Sequence, residues 1–444
     1  MLPLAVRLII VYLVGSALGS LVNWAIYSLA WNPRPISPWS RGPADLAPRT
    51  WHDRLPIFGW WRLKREVAIH GRRFWWRPLA LETCFGLALA WLYWWEVERL
   101  GLIRGQLLGL AILPPLSAVH WEFVSHAVLL SLMLAASFID IDEKIIPDEI
   151  TIPGTLLGLL LAAVLPMSLL PNVAERMGPP GPSGAPAHQL LLLKGVPVLA
   201  PGGQQVWLEP TTAVAPSIWP PTWGMPGQWQ SLAIALACYW LWCFALAPRI
   251  WRGRRGTVFA LRLIGSRLRR EFARGSMAVL LLAGTIAIAG TWWFGGQSWA
   301  GLLTALIGLV GSGGMVWAVR IIGTAALRRE AMGFGDVTLM MMVGTFLGWQ
   351  ACLIAFFLAP FAGLFVGIAQ FVLRRDDVIP YGPFLCLGSA TVVVYWAPIW
   401  LWAQDLFAIG MLVPAVLVVC LALLGLILAI WRVIKELLFG RSDA

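Results

Sequence analysis

Charged residues are scarce in this chain of 444 residues. Asp, Glu, Lys and Arg together make up 12%, against 59% hydrophobic residues and a mean hydropathy of +0.75. So little polar surface could not cover a soluble fold, and the composition requires a polytopic membrane protein. Cysteine is also sparse: Cys84, Cys238, Cys243, Cys352, Cys386 and Cys420 lie mostly in apolar runs without metal-ligand spacing. They read as small core residues, and neither a disulfide framework nor a zinc site is implied. No small-residue cleavage site precedes the first apolar run, so Leu4–Leu29 is expected to stay as a helix. Acids are outnumbered, 22 against 33 basic residues.

The resulting charge of +11 resembles a nucleic-acid signature until the basic residues are located. Ten Lys/Arg against three acids fall between Asn32 and Pro78, and nine against one between Arg249 and Arg274, whereas Pro171–Gln228 holds only Arg176 and Lys194. Retention of basic loops on the cytoplasmic side explains this asymmetry without a nucleic-acid partner and leaves membrane lipids as the expected direct contact. The 28 Trp favour the headgroup interface, although in so tryptophan-rich a chain many must also face lipid or core.

The fold expected is all-α, with about nine to eleven transmembrane helices. Residues 1–98 would hold the first spans and a compact basic loop, and 99–170 a membrane core. Residues 171–228 would form an exported insertion, 229–322 spans around the arginine-rich loop, and 323–444 a second core. The first span carries Gly15-Ser16-Ala17-Leu18-Gly19-Ser20, a face that lets another helix approach closely. Gln106–Val119 is short and broken by Pro114-Pro115, which suggests an interfacial or re-entrant piece. Twelve prolines between 171 and 226, with several Gly, exclude regular structure there and read as a flexible or polyproline-like insertion. Arg262–Arg274 has the spacing of a basic amphipathic helix. Thr338–Trp349 is short for a crossing, but only if it crosses do Arg374-Arg375 and Arg432, Lys435 and Arg441 fall on the same side as the other basic loops.

Two stretches place a carboxylate where a long apolar run meets a polar connection: Ser137-Phe138-Ile139-Asp140, and Gly333-Phe334-Gly335-Asp336. A carboxylate at that depth is costly, and two of them at one depth and one side can share a proton as base and acid. The glycines suggest a turn needing positive φ or close backbone approach, with Asp336 at a helix N-terminus. A plain helix cap after a glycine turn is the alternative. Asp148 has helix-start character and reads as a cap of the next helix as well; Asp142, Glu143 and Lys144 read as solvated loop.

In order along the chain, Ser137–Thr151, Gly333–Thr338, Leu347-Gly348-Trp349-Gln350 and Ile379-Pro380-Tyr381-Gly382-Pro383-Phe384 resemble the signatures of the bacterial type IV prepilin leader peptidases, membrane aspartic proteases with a Gly-x-Gly-Asp motif. Gly19–Tyr27, Asp53–Trp60 and Arg77–Glu82 resemble that family's amino-terminal region. The resemblance implies that Asp140 and Asp336 are the catalytic pair, with Asp148, Gly333 and Gly335 in support. It also implies that the substrates are prepilin or type II secretion pseudopilin precursors, cleaved in the inner membrane. Two Cys-x-x-Cys pairs common to the family's first loop are absent from residues 32–78. Methylation of the new amino terminus by S-adenosylmethionine, a further activity of many members, is left open, because no glycine-rich cofactor loop is visible. Two other readings remain: a proton-coupled transporter relaying through both acids, and a non-catalytic binder of precursors. The oligomeric state is not encoded legibly.

Overall fold

The computed structural model describes residues 2–42, 46–103, 116–175, 196–199, 205–216, 228–246, 275–328, 330, 332–372, 380–410 and 412–439. Most of the apolar segment Gln106–Val119, the arginine-rich loop and Arg374-Arg375 lie outside these residues.

Helix α1 (Leu4–Ser28) leads into a basic region that contains the short helices α2 (Phe58–Leu63) and α3 (Val67–His70). Helix α4 (Trp76–Tyr93) ends in a π-turn (Trp94–Glu98); α5 (Leu116–Glu143) and α6 (Asp148–Val164) follow. Helices α7 (Trp229–Leu246), α8 (Ser276–Phe294) and α9 (Gly296–Leu327) precede α10 (Phe334–Val372), α11 (Gly382–Val394), α12 (Trp396–Phe407) and α13 (Leu412–Phe439). Among the described residues, seven helices are long and apolar enough to cross a membrane, or eight if α11 and α12, bent by 94°, form one broken span. The chain is thus an all-α multi-pass membrane protein. The count falls below nine because α6 is only 17 residues long, α4 carries Arg77 and Glu82 among its tryptophans, and the two arms of α10 on either side of Gly348 are counted together.

Helix α10 is nevertheless two arms. Gly348 breaks it with φ 78° and ψ 168°, a conformation L side chains resist. Beyond the break the chain turns back along α11: Gly388 packs on the backbone of Ala355 and Ala359, and Gly363 on the Phe384 ring. The segment 334–347 therefore runs from the Asp336 end to the opposite end, as the crossing alternative for Thr338–Trp349 requires. Small residues allow its tight packing on α9. Gly308 meets Gly344, and the Ser312 hydroxyl donates to the Met340 carbonyl at 2.7 Å. The small-residue face of α1 is likewise used, with Gly15 against Gly86 and Gly19 against the Glu82 backbone of α4.

The Pro-rich insertion is not devoid of regular structure, contrary to the sequence expectation. It contributes an antiparallel sheet of β1 (Pro171–Glu175), β2 (Val196–Leu199) and β3 (Gln205–Pro210) in the order β1-β3-β2. Pro171, Pro197 and Pro210 sit at strand starts, ends or the outer strand β2, where a missing amide is tolerated. The sheet is fastened to the helices by indoles. Trp396 Nε1 donates to the Pro171 carbonyl at 2.7 Å, Trp400 Nε1 to Asn172 Oδ1 at 2.8 Å, and Trp349 Nε1 to the Ala213 carbonyl at 2.8 Å.

The basic region is compact, as expected, and ionic contacts hold it. Arg49 pairs with Glu66 at 2.6 Å with both side chains buried, and His70 lies 3.4 Å from the same carboxylate. Asp53 accepts from Arg62 at 3.0 Å, Arg65 at 2.9 Å and the Thr50 amide at 2.7 Å. Burial pushes the Asp53 carboxyl up, but these donors outweigh it and hold it at about 2. Glu82 joins this region to the membrane helices, accepting from the Ile57 amide at 2.6 Å and from Asn23 Nδ2 at 3.1 Å.

Candidate active site

Helix α5 ends one turn beyond Asp140. Lys144 takes the left-handed conformation with φ 57°, and its amide donates to the Asp140 carbonyl at 2.8 Å, closing the last turn. Asp336 sits in the first turn of α10. The two helices thus present carboxylates from a C-terminal and an N-terminal end at one level, and the side chains are 4% and 6% exposed.

Gly382, the first residue of α11, lies between them. A Cβ placed there would fall 2.5 Å from Asp140 Oδ2 and 3.2 Å from Asp336 Oδ1, so these oxygens are separated by at most the sum of the two, about 5.7 Å. The same point lies 3.0 Å from Ile146 Cδ1. The Gly382 amide is directed at Asp140 and the Gly333 amide at Asp336. Asp140 Oδ2 is buried without a protein hydrogen-bond partner. Two carboxyl groups at this spacing can hold a water molecule or a peptide group between them, one ionised and the other protonated.

The supporting positions divide. Gly335 is required by close approach, since its Cβ would lie 3.0 Å from Ile146 Cβ; Gly333 has room around it. Neither takes a positive φ. Asp148 is exposed in the first turn of α6 and makes no cap hydrogen bond, Pro147 being the cap residue. From that connection it is Ile146 that reaches the carboxylates. Asp142 and Glu143 are not free solvated loop. Arg77 Nη1 donates to both Asp142 carboxylate oxygens at 2.9 and 2.8 Å, and Glu143 accepts from the backbone amides of Trp31 and Asn32 at 2.5 and 3.1 Å. The Arg77 guanidinium also covers the Phe138 ring at 4.8 Å. The basic region is therefore clamped to the end of the helix that carries Asp140. Lys144 alone of the three is exposed without such a contact. Gly382 acts by where its backbone passes and Ile146 by its side chain packed against Gly335 and Gly382, a signal visible in sequence only as the Pro-Tyr-Gly-Pro and Ile-Ile-Pro turns.

Among the described residues, no group of three His, Cys, Asp or Glu could hold a metal ion. S-adenosylmethionine would need an aromatic face for its adenine and an acceptor for its ribose hydroxyls. A recess of about 270 Å³ beside the basic region offers Trp24 and Trp39 but otherwise only Ala17 and Leu21. These residues do not fit that cofactor.

The model of the type IV leader peptidase family matches residues 127–176 and 274–368, which carry both Asp140 and Asp336. The resemblance drawn from the sequence motifs is thereby borne out. Three proteins named prepilin leader peptidase/N-methyltransferase are similar to the chain. That of Burkholderia pseudomallei (strain 1026b) is 29% identical over 107 residues, covering 23% of this chain and 35% of the relative. That of Pseudomonas putida is 28% identical over 140 residues, covering 30% and 46%, and that of Myxococcus xanthus 26% over 159 residues, covering 36% and 41%. The chain thus spans less than half the length of these relatives. No solved structure matches it.

Proposed function

With kinship to the type IV leader peptidases as premise, we propose that this protein is a membrane aspartic endopeptidase of the cytoplasmic membrane. Its substrates would be type IV prepilin-like or pseudopilin precursors, cut between a basic leader and the apolar helix that follows, at the cytoplasmic face. The observation that carries this reading is the meeting of the Asp140 and Asp336 carboxyls at Gly382. In the reaction, the ionised carboxylate takes a proton from water as the oxygen attacks the scissile carbonyl. The protonated partner supplies a proton to the other side of the peptide group, and collapse of the tetrahedral species releases the amine. Either acid could begin as the base, because the pair titrates as a unit. Asp148, Gly333 and Gly335 support the connection rather than the chemistry.

The transporter reading requires a relay through the membrane. The other buried ionisable groups on α5 are Glu122 and His126, and His126 Nδ1 lies 2.8 Å from Glu96 Oε1. Fourteen residues, about 21 Å of helix, separate it from Asp140, and Ser131 and Ser137 are the only polar side chains between. Ser131 is turned onto the Ala127 carbonyl. This arrangement supports local structure, not conduction. N-methyltransferase is part of the relatives' names, and methylation of the cleaved product is a second activity to be tested here.

The test is co-expression with a pilin-like precursor. The unaltered chain should shorten it, and Asp140→Asn or Asp336→Asn should each leave it full length while the variant accumulates in membranes. Normal processing by either variant would remove that acid from the mechanism. The mass of the new amino terminus, with or without an added methyl, decides the second activity.

A further inference from the structure

A recess of about 470 Å³ opens sideways between α4, α5 and α11. Small residues, Ala88, Ser137 and Ala390, line it together with apolar walls that include Leu134 and Leu387. Its lining follows α11 from Pro383 to Val394, about 16 Å or three helical turns. One end adjoins the acid pair. Ser137 lies one turn before Asp140 and Cys386 one turn after Gly382, and both line the recess.

We propose that this recess is the docking groove for the apolar helix of the precursor, an inference that rests on the peptidase reading and specifies its substrate site. Charge complementarity selects the occupant. A phospholipid in the groove would bring its phosphate against Asp140 and Asp336, whereas a helix continuing into a basic leader brings a peptide group and positive charge there. Shape agrees. In a bilayer, helix association depends on close packing, and small residues let an incoming backbone approach while the leucines fill its grooves. A precursor helix would enter laterally without leaving the membrane, and its junction with the leader would come to rest at the acids.

The experiment uses the full chain carrying Asp336→Asn, with a photo-crosslinking residue at Leu134 or Leu387. Controls carry it at Leu282 of α8 or Ile427 of α13, both exposed and remote from the groove. The probe is a membrane-inserted precursor with a Lys-rich leader and a 20-residue apolar helix. Groove positions should crosslink to the helix at least tenfold more than the controls, and Ala390→Trp in the active chain should raise KM about tenfold. Crosslinking no stronger than the controls, or an unchanged KM for Ala390→Trp, overturns the groove. Cleavage of the same precursor by the unaltered chain is scored separately. Cleavage without groove crosslinks sinks the groove alone, crosslinks without cleavage sink the peptidase reading alone, and absence of both sinks both.

Discussion

At the scale of single residues, the position that most constrains the site is one without a side chain. Gly382 has both carboxylates within 3.2 Å of where a Cβ would stand. Gly382→Ala must therefore push Asp140, Asp336 or the start of α11 aside, and displacements of an ångström in a catalytic constellation cost on the order of 100-fold in rate. We expect kcat to fall about 100-fold with unchanged accumulation in membranes, measured by precursor cleavage; a fall below fivefold would mean that the acids do not act together at this point. Gly335→Ala meets the Ile146 Cβ at 3.0 Å and its backbone nitrogen at 3.4 Å but neither carboxylate, and should cost nearer tenfold. The acids themselves were legible in the sequence because carboxylates at the edges of apolar runs are anomalous there. Gly382 and Ile146 were not, because the approach of side chains to a backbone distant in sequence leaves no compositional trace. The glycines before Asp336 suggested a positive φ, but in the fold only the crowding at Gly335 demands glycine.

At the scale of elements, the basic region is coupled to α5 by side chains that polarity alone assigned to solvent. Asp142 and Glu143 extend α5 by a turn past Asp140 and then receive Arg77 and the Trp31 and Asn32 amides. Both bonds to Asp142 come from the single Nη1 while the guanidinium plane lies over the Phe138 ring, a stacked contact that a lysine ammonium does not reproduce. Arg77→Ala should therefore lower kcat about tenfold by loosening the end of α5, and Arg77→Lys should recover only part of it; equal activity of all three would show that the clamp is ornamental to catalysis. The basic region has its own pH signature. The Asp53 carboxyl is held at about 2, below its unfolded value of about 3.9, so its contribution is complete above pH 4 and drains away as pH falls towards 2. Amide protection factors across residues 50–66, relative to the intrinsic rate at each pH, should stay high from pH 7 to 4 and fall below that. Asp53→Asn should be destabilised by about 1–3 kcal/mol at neutral pH, since Arg62 and Arg65 are partly solvated and can recover water. The compactness of this region could be read from its composition, but its pairings could not, because each joins residues whose charges are unremarkable singly.

At the scale of the whole molecule, the two helices that begin at the acids are both short. The arm 334–347 and α11 each rise about 20 Å, against a hydrocarbon thickness of about 30 Å. Both are followed by a tryptophan that donates to the three-stranded insertion or its flank, Trp349 to Ala213 and Trp396 to Pro171. The far ends are thus tied to one anchor, the near ends meet at Asp140, Asp336 and Gly382, and the site must either lie recessed or sit in a locally thinned bilayer. Sequence indicated the short arm but not its tether, because the prolines that argued against strands in the insertion occupy positions a small sheet tolerates. Thickening the membrane should therefore act on catalysis. Mismatch costs fractions of a kcal/mol per ångström, so lengthening lipid chains from 14 to 22 carbons, roughly 10 Å of added thickness, places a few kcal/mol of strain across two helices that cannot lengthen. In vesicles of monounsaturated phosphatidylcholines, cleavage by the unaltered chain should be fastest in the thinner bilayers and at least threefold slower in the 22-carbon lipid. Replacing Trp349 and Trp396 with Phe, which removes both tethers, should flatten that dependence. A rate independent of chain length in the unaltered protein would mean that the acids are not set at a depth fixed by these two helices.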